Sequence, residues 1–158
     1  MKKAVVIGGS NGIGLAIVNQ FIEKRYYVEI LDRSEGDLSK LPANKYHYTF
    51  CDLMDFDEEI LSSFAMDKDV KALMVTAGIG RIADFQAHHI AEIDKILTID
   101  LVSTAKTIRL FYDRLLSKEA FYAGVMGSIS GWMSSPAASV YASAKAGIVR
   151  LLESVKIE

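Results

Sequence analysis

The sequence predicts an α/β fold, a doubly wound parallel sheet with helices on both faces in three layers. Three observations favour it. Short β-branched or aromatic runs alternate with stretches of helical periodicity, the connections between them are short, and the first connection is rich in glycine. This alternation is typical of βαβ units, in which a crossover helix joins two parallel strands.

The composition is that of one ordinary globular domain, which we expect to span residues 1–158. Hydrophobic residues make up 51% of the chain and charged residues 24%, and the formal net charge of −2 provides no basic surface for nucleic acid. The single Cys51 excludes an internal disulfide. The pair His88–His89 has no metal-ligand spacing and indicates a helix surface. No apolar run suffices for a signal peptide or a membrane span, so we expect a cytoplasmic protein without membrane partners.

The first half of the chain predicts three strands and two helices. Residues 4–7 form a β-branched run that stops at two glycines, and apolar residues then recur at helical spacing from Gly12 to about Lys24. A second strand covers residues 27–31 and ends in Asp32. After a polar stretch, residues 46–50 predict a third strand, and a helical pattern follows at about residues 55–65.

The second half continues the alternation. Residues 70–75 predict a fourth strand, the longest helical stretch runs from about residue 89 to 116, and residues 121–126 predict a fifth strand. A last helix begins near Ser139. Doubly wound connectivity places the five strands in the order 3-2-1-4-5, which leaves the fifth strand with an unpaired edge.

The first strand–helix connection is the glycine-rich segment VIGGSNGIG. Gly8, Gly12 and Gly14 form a G-x-x-x-G-x-G pattern. Glycine permits a tight turn and lets backbone N–H groups approach a pyrophosphate at the positive end of the following helix. Ser10 and Asn11 add hydroxyl and amide groups. A turn that merely caps the helix is the alternative interpretation.

Asp32 favours the dinucleotide interpretation. It ends the second strand, 18 residues after Gly14, where an acidic side chain meets the adenosine ribose 2′-hydroxyl. A carboxylate there repels a 2′-phosphate and favours NAD. Arg33 beside it can hold that phosphate instead, so NADP remains the alternative. The alternative that assigns no function is that Asp32 and Arg33 form a turn in contact with solvent.

Tyr141 and Lys145 lie four residues apart in the segment SVYASAKAG. On a helix this spacing places a phenol and an ammonium on one face. Ala142, Ser143 and Ala144 between them keep that face thin. The spacing alone occurs often by chance and proves little.

Together these motifs resemble the short-chain dehydrogenase/reductase family, classical type, with its Rossmann-like fold, over essentially the whole chain. The resemblance assigns Asp52-Leu53 to the adenine ring, Ala77-Gly78 to the end of the fourth strand, and Ser128, thirteen residues before Tyr141, to catalysis. The cofactor-binding residues it implies are Gly8, Ser10, Asn11, Gly12, Ile13, Gly14, Asp32, Asp52, Leu53, Ala77, Gly78, Tyr141 and Lys145. The catalytic residues it implies are Ser128, Tyr141, Lys145 and Asp100.

The sequence departs from the family pattern in its side chains. Ile7 replaces a threonine, and Val75 and Thr76 replace two asparagines that brace the central strands. Other groups must therefore form some of the local hydrogen bonds. Asp100 stands where the family has its fourth catalytic residue, an asparagine. It borders an apolar helix stripe, where a carboxylate needs a partner. Either Lys145 pairs with it, or the helix is rotated and Asp100 meets water.

The resemblance implies an oxidoreductase that interconverts a carbonyl and an alcohol with NAD, or with NADP as the alternative. Tyr141 gives the proton to the substrate oxygen or takes it away, and the ammonium of Lys145 favours its ionised form. Lys145 also binds the nicotinamide ribose, and Ser128 holds the substrate oxygen. Trp132 and Met133 either line an apolar substrate pocket or serve ordinary packing.

A further departure is that the chain stops at Glu158, whereas family members continue through two more strands and a substrate-covering segment. We favour the interpretation that this chain is a piece of a longer enzyme. A truncated dinucleotide-binding protein without turnover and a structural subunit are the alternatives. The family also implies a homo-oligomer and a small-molecule substrate, whose identity the sequence leaves open.

Overall fold

The computed structural model describes all 158 residues, which divide into two compact units. The first unit contains residues 1–77 and 108–126 and holds the sheet. The second unit contains residues 78–107 and 127–158 and is mainly helical.

The first unit is built on a parallel sheet with the strand order β3-β2-β1-β4-β5. The strands are β1 (Lys3–Ile7), β2 (Tyr27–Asp32), β3 (Tyr46–Phe50), β4 (Val70–Val75) and β5 (Tyr122–Val125). All of the pairings are parallel. The predicted fold class and strand order are therefore confirmed. The order reverses between β1 and β4, which is where α/β sheets place their ligands.

Both faces of the central strands are covered. Three consecutive residues of β1, Val5, Val6 and Ile7, are at most 1% exposed, although neighbouring side chains in a strand point to opposite faces. On one face, Val6 and Ile30 pack in a cluster with Val18 of helix α1 (Gly12–Glu23). Consecutive apolar burial of this kind is what a parallel sheet between helices requires.

Helix α2 (Glu58–Met66) begins later than its periodicity predicts, because Asp57 caps it. The Asp57 carboxylate accepts a hydrogen bond from the N–H of Ile60 at 2.9 Å. Beyond its other end, the Arg114 guanidinium of helix α5 (Tyr112–Leu116) donates to the carbonyls of Asp67 and Val70 at 2.8 and 2.7 Å. Arg114 thus ties the chain that leaves α2 to the start of β4.

The helical stretch predicted at about residues 89–116 is interrupted. Helix α3 (Ile90–Leu97) passes into a π-helical turn (Thr98–Val102) and then into helix α4 (Ser103–Leu110). The hydroxyls of Ser103 and Thr104 donate to main-chain carbonyls four residues earlier, at 2.6 and 2.9 Å. Such turns are often found at functional sites, and this one contains Asp100.

The last helix of the second unit is α6 (Ser139–Ile157), which begins where the sequence predicts. It packs against α3 and against the π-helical turn. No helix of the chain combines the length and the apolar character that crossing a bilayer demands.

Candidate active site

The glycine loop of the first unit is shaped by two close approaches. Gly8 has φ +84°, and a Cβ at this position would lie 2.4 Å from the amide nitrogen of Ala77. A Cβ on Gly14 would lie 2.0 Å from the carbonyl oxygen of Gly8 and 2.7 Å from the hydroxyl of Thr76. Any side chain would overlap other atoms at these two positions, so glycine is required at both.

Thr76 takes over part of the bracing that the two asparagines would have provided. Its single hydroxyl proton is shared between the carbonyl oxygen of Ile7, at 2.9 Å, and that of Gly8, at 3.0 Å. The N–H groups of Thr76 and Ala77 also donate to the Ile7 carbonyl, at 2.8 and 3.0 Å. The end of β4 is therefore joined to the glycine loop by a shorter side chain, a role that sequence reasoning left unassigned.

Asp32 supports the glycine loop through its carboxylate. One oxygen accepts a hydrogen bond from the N–H of Ser10 at 3.1 Å, and the other accepts one from the N–H of Arg33 at 2.8 Å. Gly36 (φ +51°) lies close behind, where a Cβ would be 2.4 Å from the side-chain amide of Asn11. The carboxylate predicted to meet a ribose thus also positions the loop, and Gly36 was missed because nothing in its local pattern indicates this contact.

The loop fits a pyrophosphate group. Helix α1 starts directly after it, has no acidic residue in its first turn and receives no side-chain cap from Asn11. Asn11, Gly12 and Ile13 are exposed, and a Cβ on Gly12 would meet nothing within 4 Å. The buried hydroxyl of Ser10 has no hydrogen-bond partner. An open helix N-terminus with N–H groups in front of it is a favourable place for phosphate oxygens.

Asp52 and Leu53 follow β3, as the resemblance implies. Leu53 is 7% exposed, so most of its side chain packs inside the first unit. Asp52 is half-buried and accepts a hydrogen bond from the N–H of Met54 at 2.9 Å. Their contact with an adenine ring stays a prediction.

In the second unit, α6 presents Tyr141 and Lys145 on one face. The Lys145 ammonium lies 5.6 Å from the centroid of the Tyr141 ring, and Lys145 is only 3% exposed. A Cβ on Gly80 would lie 3.0 Å from that ring, so the backbone of the segment after β4 packs directly against the phenol. The predicted neighbourhood of phenol and ammonium is present, and Gly80 is a supporting residue that sequence reasoning missed.

Asp100 lies beside Lys145 and is completely buried. One carboxylate oxygen accepts a hydrogen bond from the N–H of Ile79 at 2.7 Å, and the other lies 3.3 Å from the Lys145 ammonium without an aligned hydrogen bond. A Cβ on Gly78 would come within 3.2 Å of that ammonium and 3.3 Å of the carboxylate. Of the two alternatives for Asp100, pairing with Lys145 is therefore the one observed.

Burial raises the pKa of the Asp100 carboxyl above its ordinary value, although the Ile79 hydrogen bond and the Lys145 ammonium act in the opposite direction. The folded protein therefore binds this proton more tightly than the unfolded chain does. By linkage, the contribution of Asp100 to stability is present below the ordinary carboxyl pKa and is lost as the pH rises through the raised value.

We expect Asp100→Asn, which stays neutral, to gain stability relative to the wild-type chain as the pH rises from about 3.5 to 7, a range that begins just below the ordinary carboxyl pKa. Urea unfolding of both proteins at several pH values measures this. The matched control is Asp94→Asn, which removes an exposed carboxylate from α3. Stability curves for Asp100→Asn and wild type that run parallel across this range would contradict the expectation.

Ser128 stands at the start of a 3₁₀ turn (Ile129–Gly131), and its hydroxyl oxygen accepts a hydrogen bond from the N–H of Ser130 at 3.2 Å. The side chain is half-buried. A Cβ on Gly131 would lie 2.8 Å from the carbonyl oxygen of Lys145, so this turn packs closely on α6. The approach of Ser128 to a substrate oxygen stays a prediction.

Trp132 and Met133 are each 65% exposed, so neither serves ordinary core packing. They border an open cavity of about 430 Å³. Its wall on α6 contains Ser139, Ala142, Ser143 and Ala146. The described chain has no group of three or more His, Cys, Asp or Glu side chains placed to hold a metal ion.

Comparison with known proteins gives a consistent result. A family model described as short chain dehydrogenase matches residues 2–158. The dehydrogenase RED2 of Cochliobolus heterostrophus is 30% identical over 98% of this chain, and the match covers 59% of that protein. The chain thus spans about three fifths of the length of this relative.

Solved structures share the fold. The bulky-bulky ketone specific alcohol dehydrogenase from Comamonas testosteroni has a TM-score of 0.87 at 17% identity, with 99% of this chain and 67% of that chain covered. An alcohol dehydrogenase from the archaeon Thermococcus sibiricus, complexed with 5-hydroxy-NADP, has a TM-score of 0.86 at 24% identity, with 99% and 71% covered.

Proposed function

Because the chain belongs to the short-chain dehydrogenase family, we propose that it interconverts a carbonyl and an alcohol with a nicotinamide dinucleotide, using Tyr141 as the general acid and base. One observation carries the proposal. The phenol of Tyr141 lies beside the buried Lys145 ammonium on one face of α6, and Lys145 is in turn held by Asp100.

The nicotinamide, when bound, supplies or accepts the hydride. The other tasks belong to the chain. When a carbonyl is reduced, negative charge develops on its oxygen, and Tyr141 gives that oxygen a proton; in the oxidative direction it takes the proton from the alcohol. Lys145 favours the ionised phenol by its charge. Ser128 donates a hydrogen bond to the substrate oxygen, which is stabilising where charge develops.

Cofactor binding is assigned to the glycine loop. The N–H groups at the start of α1 would hold the pyrophosphate, Asp32 the adenosine ribose, and Asp52-Leu53 the adenine ring, with Ala77-Gly78 alongside. In this proposal Lys145 also holds the nicotinamide ribose. The open loop, the unpartnered Ser10 hydroxyl and the glycines that admit no side chain support it.

We propose NAD as the preferred cofactor, because the Asp32 carboxylate repels a 2′-phosphate. We expect Asp32→Asn, which keeps an acceptor for the Ser10 N–H but removes the charge, to reduce the preference for NAD over NADP about tenfold, the size of a ~1.4 kcal/mol repulsion. Calorimetric titration with both dinucleotides measures this. The control is Asp37→Asn, at an exposed position of the neighbouring segment. A ratio unchanged in Asp32→Asn would remove Asp32 from this role.

The proposal as a whole is tested by dinucleotide titration followed by turnover with a panel of carbonyl compounds. Binding together with turnover supports it. Binding without turnover favours a dinucleotide-binding protein, and the absence of both favours a structural subunit. Intact mass of the native protein, compared with 17.4 kDa, tests whether the 158 residues are a piece of a longer enzyme.

We also propose a homo-oligomer, as the family implies. Light scattering at several protein concentrations tests it, because an oligomer has a multiple of the protomer mass.

A further inference from the structure

The buried carboxylate beside Lys145 has an electrostatic consequence for the proposed chemistry. A neutral asparagine at this position would place no negative charge beside the lysine. Here the Asp100 carboxylate lies 3.3 Å from the ammonium. Since both side chains are at most 3% exposed, water screens this interaction little.

We propose that Asp100 is a positioning residue whose carboxylate partly offsets the charge of Lys145 and thereby sets the pH range in which Tyr141 exchanges its proton. This rests on the proposed acid–base role of Tyr141. The Lys145 ammonium, 5.6 Å from the centroid of the phenol ring, favours the phenolate by its charge. The negative charge of the Asp100 carboxylate opposes this effect, so the phenolate forms at higher pH than it would without that charge.

Contacts with the surrounding backbone hold the Asp100 carboxylate beside the Lys145 ammonium. The Ile79 N–H fixes one carboxylate oxygen at 2.7 Å, and Gly78 leaves the space that the carboxylate and ammonium occupy. The π-helical turn carries Asp100 into the interior. Lys145 is the charged group that acts on Asp100 from α6, and the segment at Gly78 and Ile79 contributes only backbone.

The charge state of Asp100 is itself titratable. Burial raises the pKa of its carboxyl, and protonation on lowering the pH removes the negative charge beside the Lys145 ammonium. A neutral asparagine cannot do this. The two side chains have the same shape, which makes Asp100→Asn a test of charge rather than of packing.

The first experiment measures the ionisation of Tyr141 without turnover. Phenolate absorbance is followed against pH in the wild-type chain and in Tyr141→Phe, and the difference isolates Tyr141 from the other six tyrosines. The same pair of measurements is made in the Asp100→Asn background. We expect the midpoint to fall by about one pH unit, the effect of one charge within about 10 Å at an effective dielectric of ~20. Asp94→Asn, measured in the same way, is expected to leave it unchanged.

The second experiment is the pH profile of kcat/KM for alcohol oxidation by the native protein. If Asp100 acts through its charge, the rising limb of the kcat/KM profile moves to lower pH in Asp100→Asn, by about as much as the Tyr141 midpoint does. A merely structural role lowers kcat/KM at every pH without moving the limb. Asp100→Ser, a smaller neutral side chain, repeats both measurements if the asparagine variant does not unfold cooperatively.

The two proposals fail separately. A Tyr141 midpoint that is the same with aspartate and with a neutral residue at position 100 overturns the charge-offsetting role of Asp100, whatever the turnover. A shifted midpoint in a protein that turns over no carbonyl or alcohol substrate leaves the pairing intact and contradicts the proposed enzymatic function.

Discussion

Tyr141→Phe is expected to lower kcat/KM by a factor of about a hundred to ten thousand, the usual contribution of a general acid–base group, while dinucleotide affinity changes little. The substitution removes one oxygen and keeps the ring that packs against Gly80. It therefore deletes the proton donor without disturbing α6. Initial rates with a carbonyl substrate, and calorimetric titration with NAD, measure the two quantities.

The matched control is Tyr122→Phe, which makes the same chemical change on β5, where the side chain is 68% exposed. Its rates and its affinity should equal those of the wild-type chain. If Tyr141→Phe turns over its substrate as fast as this control, Tyr141 is not the acid–base group and the proposed mechanism is wrong.

Gly14→Ala is expected to destabilise the protein by about 3 kcal/mol or more. Its Cβ would lie 2.0 Å from the Gly8 carbonyl oxygen and 2.7 Å from the Thr76 hydroxyl, and neither of these is the end of a flexible side chain. The structure must shift to relieve the overlap, which costs more than ordinary overpacking of a core. The same shift moves the loop, so dinucleotide affinity should fall as well.

Substitutions at two further glycines distinguish the cost of steric overlap from the cost of backbone strain. Gly12→Ala meets no atom within 4 Å but has φ +51°, so it should cost only about 1–2 kcal/mol. Gly127→Ala meets no atom and has an ordinary φ, and it should be neutral within about 0.5 kcal/mol. Urea unfolding ranks the three variants. Equal stabilities for Gly14→Ala and Gly12→Ala would show that the loop can relax around a side chain.

Local patterns were sufficient where the physical cause is local. The strands were recognised because consecutive apolar β-branched residues suit a sheet covered on both faces, and the strand order followed from their alternation with helices. Tyr141 and Lys145 were placed side by side because helix geometry alone brings residues four apart onto one face. The glycines at positions 8 and 14 were recognised from their spacing after β1.

Local patterns were insufficient where distant contacts decide. The helical periodicity across residues 89–116 contains no signal for a π-helical turn, yet that turn is present and contains Asp100. His88 was expected on a helix surface together with His89, and this was wrong for His88. Its ring is buried and lies 2.9 Å from the Glu92 carboxylate, which also binds Arg81.

The amino-acid sequence alone was enough to predict the α/β class, the glycines of the loop and the phenol–ammonium pair, since each depends on residues near one another along the chain. The order of the strands followed from their alternation with helices. The pairing of Asp100 with Lys145, 45 positions away, rather than with water, became clear only from the folded chain. A buried carboxylate is tolerable only if a partner is present, and which partner is present depends on how α3, the π-helical turn and α6 pack. Periodicity reports which face of an element is apolar, but it does not report which side chain that face will meet.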